Sequence, residues 1–268
     1  MRDMLIDCHT HAYPVKVAEK LIPKMVEVYG IKPKYDATVA GLLDSMKSSG
    51  VDKSIILTVA NRKEHVKSSN TWCIEVQDSC EKLMCFGSIH LAYPDWELEL
   101  ERLNDNGIRG IKLQPNAQRF YPDDEKMNPI YEKLMELDMS LVFHVGDEVK
   151  PVKPMYAAPK HFQVVLDSYP ELNIMLAHLG GYKTFDEMRI FLDYDNLWFD
   201  TAFIPGNISD KKFIELVDEI GDNRVVYGSD FPWADPAWGI SKIRELFGDK
   251  AGIILEDNPG RFFSRVYP

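Results

Sequence analysis

The chain has 268 residues, 45% of them hydrophobic and 27% charged, the balance of a globular protein long enough for one large domain. Acidic residues outnumber basic ones 42 to 31, a formal charge of -11 that argues against nucleic acid as the main partner. No apolar run nears the ~20 residues that cross a bilayer, and the N-terminal apolar run is too short, between Asp3 and Asp7, for a secretory signal, so a cytoplasmic protein with no membrane partner is expected.

The first expected strand, Leu5–His9, leads into Asp7-Cys8-His9-Thr10-His11. Strand side chains alternate between faces, so His9 and His11 should point the same way, with Asp7 on their side and Cys8 facing away. Two neutral imidazoles at a strand end form half of a metal site. The long connection Ala12–Ala37 follows, with a helical pattern over Val15–Tyr29, and reads as a pocket wall. Its mixture of lysines and apolar residues over Lys16–Lys24 fits a solvated helix face. Asp36 or Thr38 can cap the next helix, Thr38–Ser49, which Gly50 ends.

Strands over Lys53–Val59 and Met84–His90, a helix over Trp96–Asp105 and a strand over Gly107–Leu113 come next. Alternation in the last of these puts Gly110, Lys112 and Gln114 on one face and Ile111 and Leu113 on the other. If the branched residues face helices, Lys112 points inward, where a buried ammonium is expensive unless paired. It would bind an anionic substrate group or pair with an acid such as Asp7. Asn116 and Arg119 follow as candidate substrate contacts, Arg119 as a carboxylate clamp.

After a helix at Pro129–Leu137, the strand Ser140–Val145 carries His144 near its end. The connection Gly146–Lys160 holds Pro151, Pro154 and Pro159 and reads as a second wall. A helix at His161–Ser168 precedes the strand Asn173–His178, which ends in a histidine. Tyr182 follows, then a helix at Phe185–Phe191, the strand Leu197–Thr201 with Phe203 beyond it, and a helix at Lys211–Ile220. The last strand, Arg224–Ser229, delivers Asp230, with Trp233 close behind. Tyr182, Phe203 and Trp233 are candidate aromatic walls.

Eight strands alternating with helices imply parallel βαβ units, here a closed (β/α)8 TIM barrel with a helical insertion after strand 1, spanning 1–268 as one domain. A doubly wound sheet lacks support, because no G-x-G-x-x-G follows the first strand. In a barrel, His9, His11, His144, His178 and Asp230 converge on one mouth. Buried strands rarely end in such groups without a partner. The four cysteines, Cys8, Cys73, Cys80 and Cys85, form no C-x-x-C pair and are read as reduced.

These motifs resemble the amidohydrolase superfamily, in particular its amidohydrolase-related group containing aminocarboxymuconate semialdehyde decarboxylase. The resemblance runs through Asp7-Cys-His-Thr-His11, Gly110-Ile-Lys-Leu-Gln-Pro115, Phe143-His-Val-Gly146, Ala177-His-Leu-Gly-Gly181 and Gly228-Ser-Asp-Phe-Pro232, ending near Ile254-Leu-Glu-Asp-Asn-Pro259. It implies one divalent metal ion held by His9, His11, His144 and Asp230, with zinc preferred and Mn²⁺, Fe²⁺ or Co²⁺ as alternatives. It implies catalytic roles for His178 and Asp230. Binuclear members use a carboxylated lysine where Lys112 stands, with the residue at His178 binding a second ion. The mononuclear group favours an unmodified Lys112.

Two activities share such a site. The first expectation is a hydrolase that directs metal-activated water at a small amide, lactone or ester. The alternative is a decarboxylase of an unsaturated or aromatic carboxylic acid. A TatD-like nuclease also opens with H-x-H, but favours a carboxylate where this chain has Lys112. A purely structural metal is disfavoured, because structural zinc sites are closed. The expected partner is a small molecule, a carboxylate for the decarboxylase, with assembly into a homo-oligomer left open.

Overall fold

The computed structural model describes residues 4–267; Asp3 lies outside them. Among the described residues there are eight parallel strands, β1 (Ile6–Thr10), β2 (Lys53–Leu57), β3 (Leu83–Phe86), β4 (Gly110–Leu113), β5 (Ser140–Phe143), β6 (Ile174–Leu176), β7 (Leu197–Asp200) and β8 (Val225–Val226). The helices are α1 (Val15–Tyr29), α2 (Val39–Ser49), α3 (Val66–Ser79), α4 (Trp96–Asp105), α5 (Pro115–Gln118), α6 (Asn128–Glu136), α7 (Lys160–Ser168), α8 (Asp210–Ile220), α9 (Pro236–Phe247) and α10 (Asn258–Val266). Several strands are shorter than expected. β8 keeps two residues of the run Arg224–Ser229, and β3 stops at Phe86 rather than His90. The segment expected as a helix over Phe185–Phe191 is a 3-10 turn, Glu187–Phe191.

Strands β1–β3 and β4–β8 form two ladders. Backbone hydrogen bonds close both seams. Gly87 donates to Gly110 and Lys112 donates to Gly87 at 2.9 and 2.8 Å, joining β3 to β4. Cys8 donates to Tyr227, Asp230 to His9 and His11 to Phe231 at 2.9, 2.9 and 2.7 Å, joining β1 to the β8 segment. The result is the (β/α)8 barrel, with the helical insertion α1 after β1.

Alternation sorts the strands' side chains into two layers. Ile56, Cys85, Ile111, Leu113, Leu141, Phe143, Leu176 and Phe199 pack outward in the main core shared with the helices. Ile6, Cys8, Ile55, Leu57, Met84, Phe86, Val142, Met175, Trp198 and Val226 fill the interior, joined by Phe262 and Val266 of α10. Lys112 lies between outward-facing Ile111 and Leu113, in register with inward-facing Val142, so it belongs to the interior.

Strand β1 departs from simple alternation. Asp7 pairs with Ser54 and Thr10 with Ile56, so three steps on β1 oppose two on β2. This bulge lets Cys8 pack in the inner cluster although His9 also lines the mouth. The expectation that Cys8 faces away from the histidines is corrected accordingly. All four cysteines are free.

Helix α2 has its expected caps. The Thr38 side chain accepts from Gly41, and Gly50 takes the left-handed conformation. Among the described residues, no helix is long and apolar enough to cross a membrane.

Candidate metal centre and active site

The strand ends open into a cavity of about 380 Å³, whose floor carries His9, His11, Lys112, Gln114, His144, His178 and Asp230. Its walls include Leu21, Met25 and Val28 of α1, Val149 after β5, and the rings of Tyr13, Tyr29, Tyr182, Phe203 and Trp233. The two long connections therefore supply walls, as expected. Lys24 also lines the cavity, which revises the reading of Lys16–Lys24 as only a solvated face.

Hydrogen bonds fix which ring nitrogen of each histidine is free. Asp200, buried at the end of β7, accepts from His178 N–H at 2.8 Å and Ala202 N–H at 3.0 Å through Oδ1. Its Oδ2 accepts from His9 Nδ1–H at 2.7 Å. His11 Nδ1–H donates to the Leu57 carbonyl at 2.8 Å. In the neutral rings, both Nε2 atoms then carry lone pairs. These nitrogens lie 3.2 Å apart, and Asp230 Oδ1 stands 3.3 Å from His11 Nε2 and 3.7 Å from His9 Nε2.

Three acceptors thus face one another with no proton among them. Such an arrangement repels itself unless a cation sits between. All three ligand atoms lie within 4.8 Å of one another. The 3.2 Å nitrogen separation matches the ~3.3 Å edge of a tetrahedron with ~2.0–2.1 Å metal–nitrogen bonds. The donor set fits a divalent ion, and Asp200 orients a candidate ligand from behind.

His144 stands outside this trio. His178 Nδ1–H donates to the Ala202 carbonyl at 2.9 Å, so in the neutral ring its Nε2 carries the lone pair, 3.0 Å from His144 Nδ1. The Asp147 carbonyl accepts from His144 Nε2–H at 3.3 Å, and Glu148 Oε1 lies 3.4 Å from the same nitrogen, which leaves the lone pair of the neutral His144 ring on Nδ1. The four-ligand set expected from sequence is assembled in part: His9, His11 and Asp230 group together, while His144 stands beside them against His178.

Electrostatics follow from burial. Burial pushes His9 well below the ordinary imidazole range, His144 down to about 3 and His178 down to about 4, favouring neutral rings. Lys112 is lowered to about 8, chiefly by burial, with Asp200, Asp230 and Glu148 opposing the shift. Its Nζ has no hydrogen-bond partner among the described residues. Asp7 is not its counterion, since Asp7 Oδ1 accepts from Ser229 N–H at 2.9 Å and His9 N–H at 3.2 Å.

Backbone strain gathers here too. His178, Phe203 and Asp230 have φ of 59°, 58° and 66°, left-handed values uncommon outside glycine. A Cβ on Gly228 would lie 2.7 Å from His9 Cβ, so glycine there seats the histidine. At Gly146, φ is 94° and a Cβ would meet the Tyr182 carbonyl at 2.3 Å, so glycine lets the segments after β5 and β6 touch.

Tyr182 and Trp233 line the cavity, as expected of aromatic walls. Arg119 does not. It caps α5 in the left-handed conformation, φ 60°, and is exposed outside the cavity lining. The turn at the end of α5 carries it away, which removes the proposed clamp. Asn116 is also absent from the lining. Its Nδ2 donates to the Gly146 carbonyl at 3.0 Å and Glu148 Oε1 at 3.2 Å, and its Oδ1 accepts from Ala157 N–H at 2.9 Å. Sequence reading missed Asp200 and Glu148. Asp200 had the same signal as Asp230, an acid closing an apolar strand. Glu148 lay in a proline-rich connection without periodicity.

The amidohydrolase family model matches residues 6–265. Gamma-resorcylate decarboxylase of Rhizobium radiobacter is 22% identical over 256 residues, covering 78% of this chain and 75% of the relative. In structure, 5-carboxyvanillate decarboxylase of Sphingomonas paucimobilis superposes with a TM-score of 0.77 at 16% identity, over 97% of this chain and 99% of that one. The 5-carboxyvanillate decarboxylase of Novosphingobium aromaticivorans, complexed with manganese and 4-hydroxy-3-methoxy-5-nitrobenzoic acid, gives 0.74 at 17%, over 98% and 96%. The chain belongs to the amidohydrolase family: it is an enzyme, a metal-dependent hydrolase or carboxy-lyase.

Proposed function

We propose that the protein decarboxylates a small unsaturated or aromatic carboxylic acid. The observation that carries this reading is Lys112. Its ammonium nitrogen is buried with no hydrogen-bond partner among the described residues, in the lining of a cavity walled by five aromatic rings. A planar carboxylate answers both features, since its anion pairs with the ammonium and its ring packs against the walls. The decarboxylases among the relatives support this alternative better than the hydrolase reading that ranked first on sequence.

His9, His11 and Asp230 would hold a divalent ion, with His144 as the candidate further ligand. Bound there, the ion supplies positive charge beside the carboxylate and lowers the pKa of water. Lys112, unmodified, holds the carboxylate. The aromatic walls orient the ring and exclude water. Cleavage of the carbon–carboxyl bond leaves its electron pair on the ring carbon, which takes up one proton as carbon dioxide departs. Asp230 Oδ and His178 Nε2 are the cavity groups assigned to carry that proton.

The test is product analysis with metal-loaded protein, offered hydroxybenzoates and lactones. Carbon dioxide and the decarboxylated arene are expected, without net addition of water. Lactone opening with no release of carbon dioxide from any acid would restore the hydrolase. Metal analysis accompanies it. One ion per chain is expected, while two would bring forward a carboxylated Lys112 with His178 as a ligand.

A further inference from the structure

Lys112 is not alone in lacking a partner. Gln114, just past the end of β4, also lines the cavity, and its Oε1 is buried with no hydrogen bond among the described residues. The two groups have opposite polarity and do not bond to each other.

A chain of hydrogen bonds fixes the orientation of the Gln114 amide. Ala157 N–H donates to Asn116 Oδ1 at 2.9 Å, so the Asn116 nitrogen must face the other way. That nitrogen donates to the Gly146 carbonyl at 3.0 Å and to Glu148 Oε1 at 3.2 Å. Glu148 Oε1 is therefore an acceptor, and Gln114 turns Nε2 toward it at 2.9 Å. Flipping the amide would set oxygen against oxygen. Gln114 Oε1 is thus held as a fixed acceptor in the cavity lining that also carries Lys112. An acceptor left unpaired in a buried site is unfavourable, and a ligand that donates to it removes the penalty.

We propose that Gln114 is a specificity-determining residue, whose carbonyl selects acids carrying a hydrogen-bond donor, a hydroxyl or amine, on the ring that Lys112 anchors by its carboxylate. This rests on the carboxylate reading of the same cavity. A ring bearing a methoxy group in place of hydroxyl would set an acceptor against an acceptor, leaving both desolvated and unpaired. Asn116 and Glu148 act as positioning residues for Gln114.

The experiment is calorimetric binding to the metal-loaded protein of benzoate, the three monohydroxybenzoates and their methoxy counterparts. At least one hydroxybenzoate should bind about tenfold more tightly than its methoxy partner, the value of one hydrogen bond. In Gln114→Met this preference should fall to within about twofold while benzoate affinity holds. Equal affinities within every pair for the wild type, or a preference that survives in Gln114→Met, overturns the assignment while leaving the carboxylate reading intact. Failure of all the acids to bind, benzoate included, overturns both. If Gln114→Met also loses benzoate, Asn116→Ala provides the reading, since it keeps the glutamine and frees its orientation. A reduced preference there supports the proposal, and an unchanged one overturns it.

Discussion

The two ends of the barrel interior are built from the same strands and have opposite chemistry. Toward the closed end, Ile6, Val142, Met175, Trp198 and Val226 pack with Phe262 and Val266 of α10. Toward the mouth, the same segments continue into His9 and His11, His144, His178, Asp200 and Asp230. One end is dry and filled. The other gathers polar groups that burial makes unstable unless something binds among them. A strand therefore spends its inner residues on cohesion and its last residues on chemistry, and variants at the two ends should fail differently.

The sharpest break is expected from Asp230→Asn at the mouth. Activity should fall by about a thousandfold or more, with metal content reduced, while the far-ultraviolet spectrum is kept. Steady-state kinetics and metal analysis check this, and near-normal turnover would remove Asp230 from the site. At the other end, Phe262→Ala should destabilise the fold by about 3–5 kcal/mol. The Kd for benzoate should be unaffected below the unfolding temperature. Denaturant melts and calorimetry together test the separation, and a matching loss of affinity would mean that the ends are coupled.

Asp200→Asn probes the boundary between the two ends. The amide accepts less strongly behind His9, and metal affinity should weaken by about 10–100-fold, read by competition with a chelator. The smallest effect concerns pH. Lys112 is cationic below about 8 and neutral above it, whereas substrate carboxylates stay ionised across that range. Carboxylate affinity should hold between pH 6 and 7, then weaken as pH rises through about 8, by at most about tenfold per unit. Lys112→Met should bind weakly at every pH without that inflection. An inflection that persists in the variant would assign the titration elsewhere.

Much of the mouth was legible because its signal is local. Each apolar strand closes on a residue that cannot be buried alone, and the barrel topology brings those ends together. The expected bounds of α1, Val15–Tyr29, coincide with the helix, since its apolar period and Gly30 are both explicit. Other features depend on contacts that no local pattern encodes. The bulge in β1 arises from register with β2, so alternation misplaced Cys8. Arg119 was misread because a left-handed cap redirects the chain. The ring of His144 is oriented by the Asp147 carbonyl beyond its strand and faces His178 from another strand. Glu148 became visible only when Gln114 and Asn116 met it.

The seam between β1 and the β8 segment has one more consequence. The trio of His9, His11 and Asp230 straddles that joint, drawing ligands from opposite ends of the sequence. No nascent chain can assemble the trio before its final strand docks. An ion captured there would act as a clasp across nearly the whole polypeptide, restricting the unfolded ensemble as a long-range crosslink does. Metal loading would then report that the β8 segment has docked, and an ion bound for chemistry would also fasten the hoop shut.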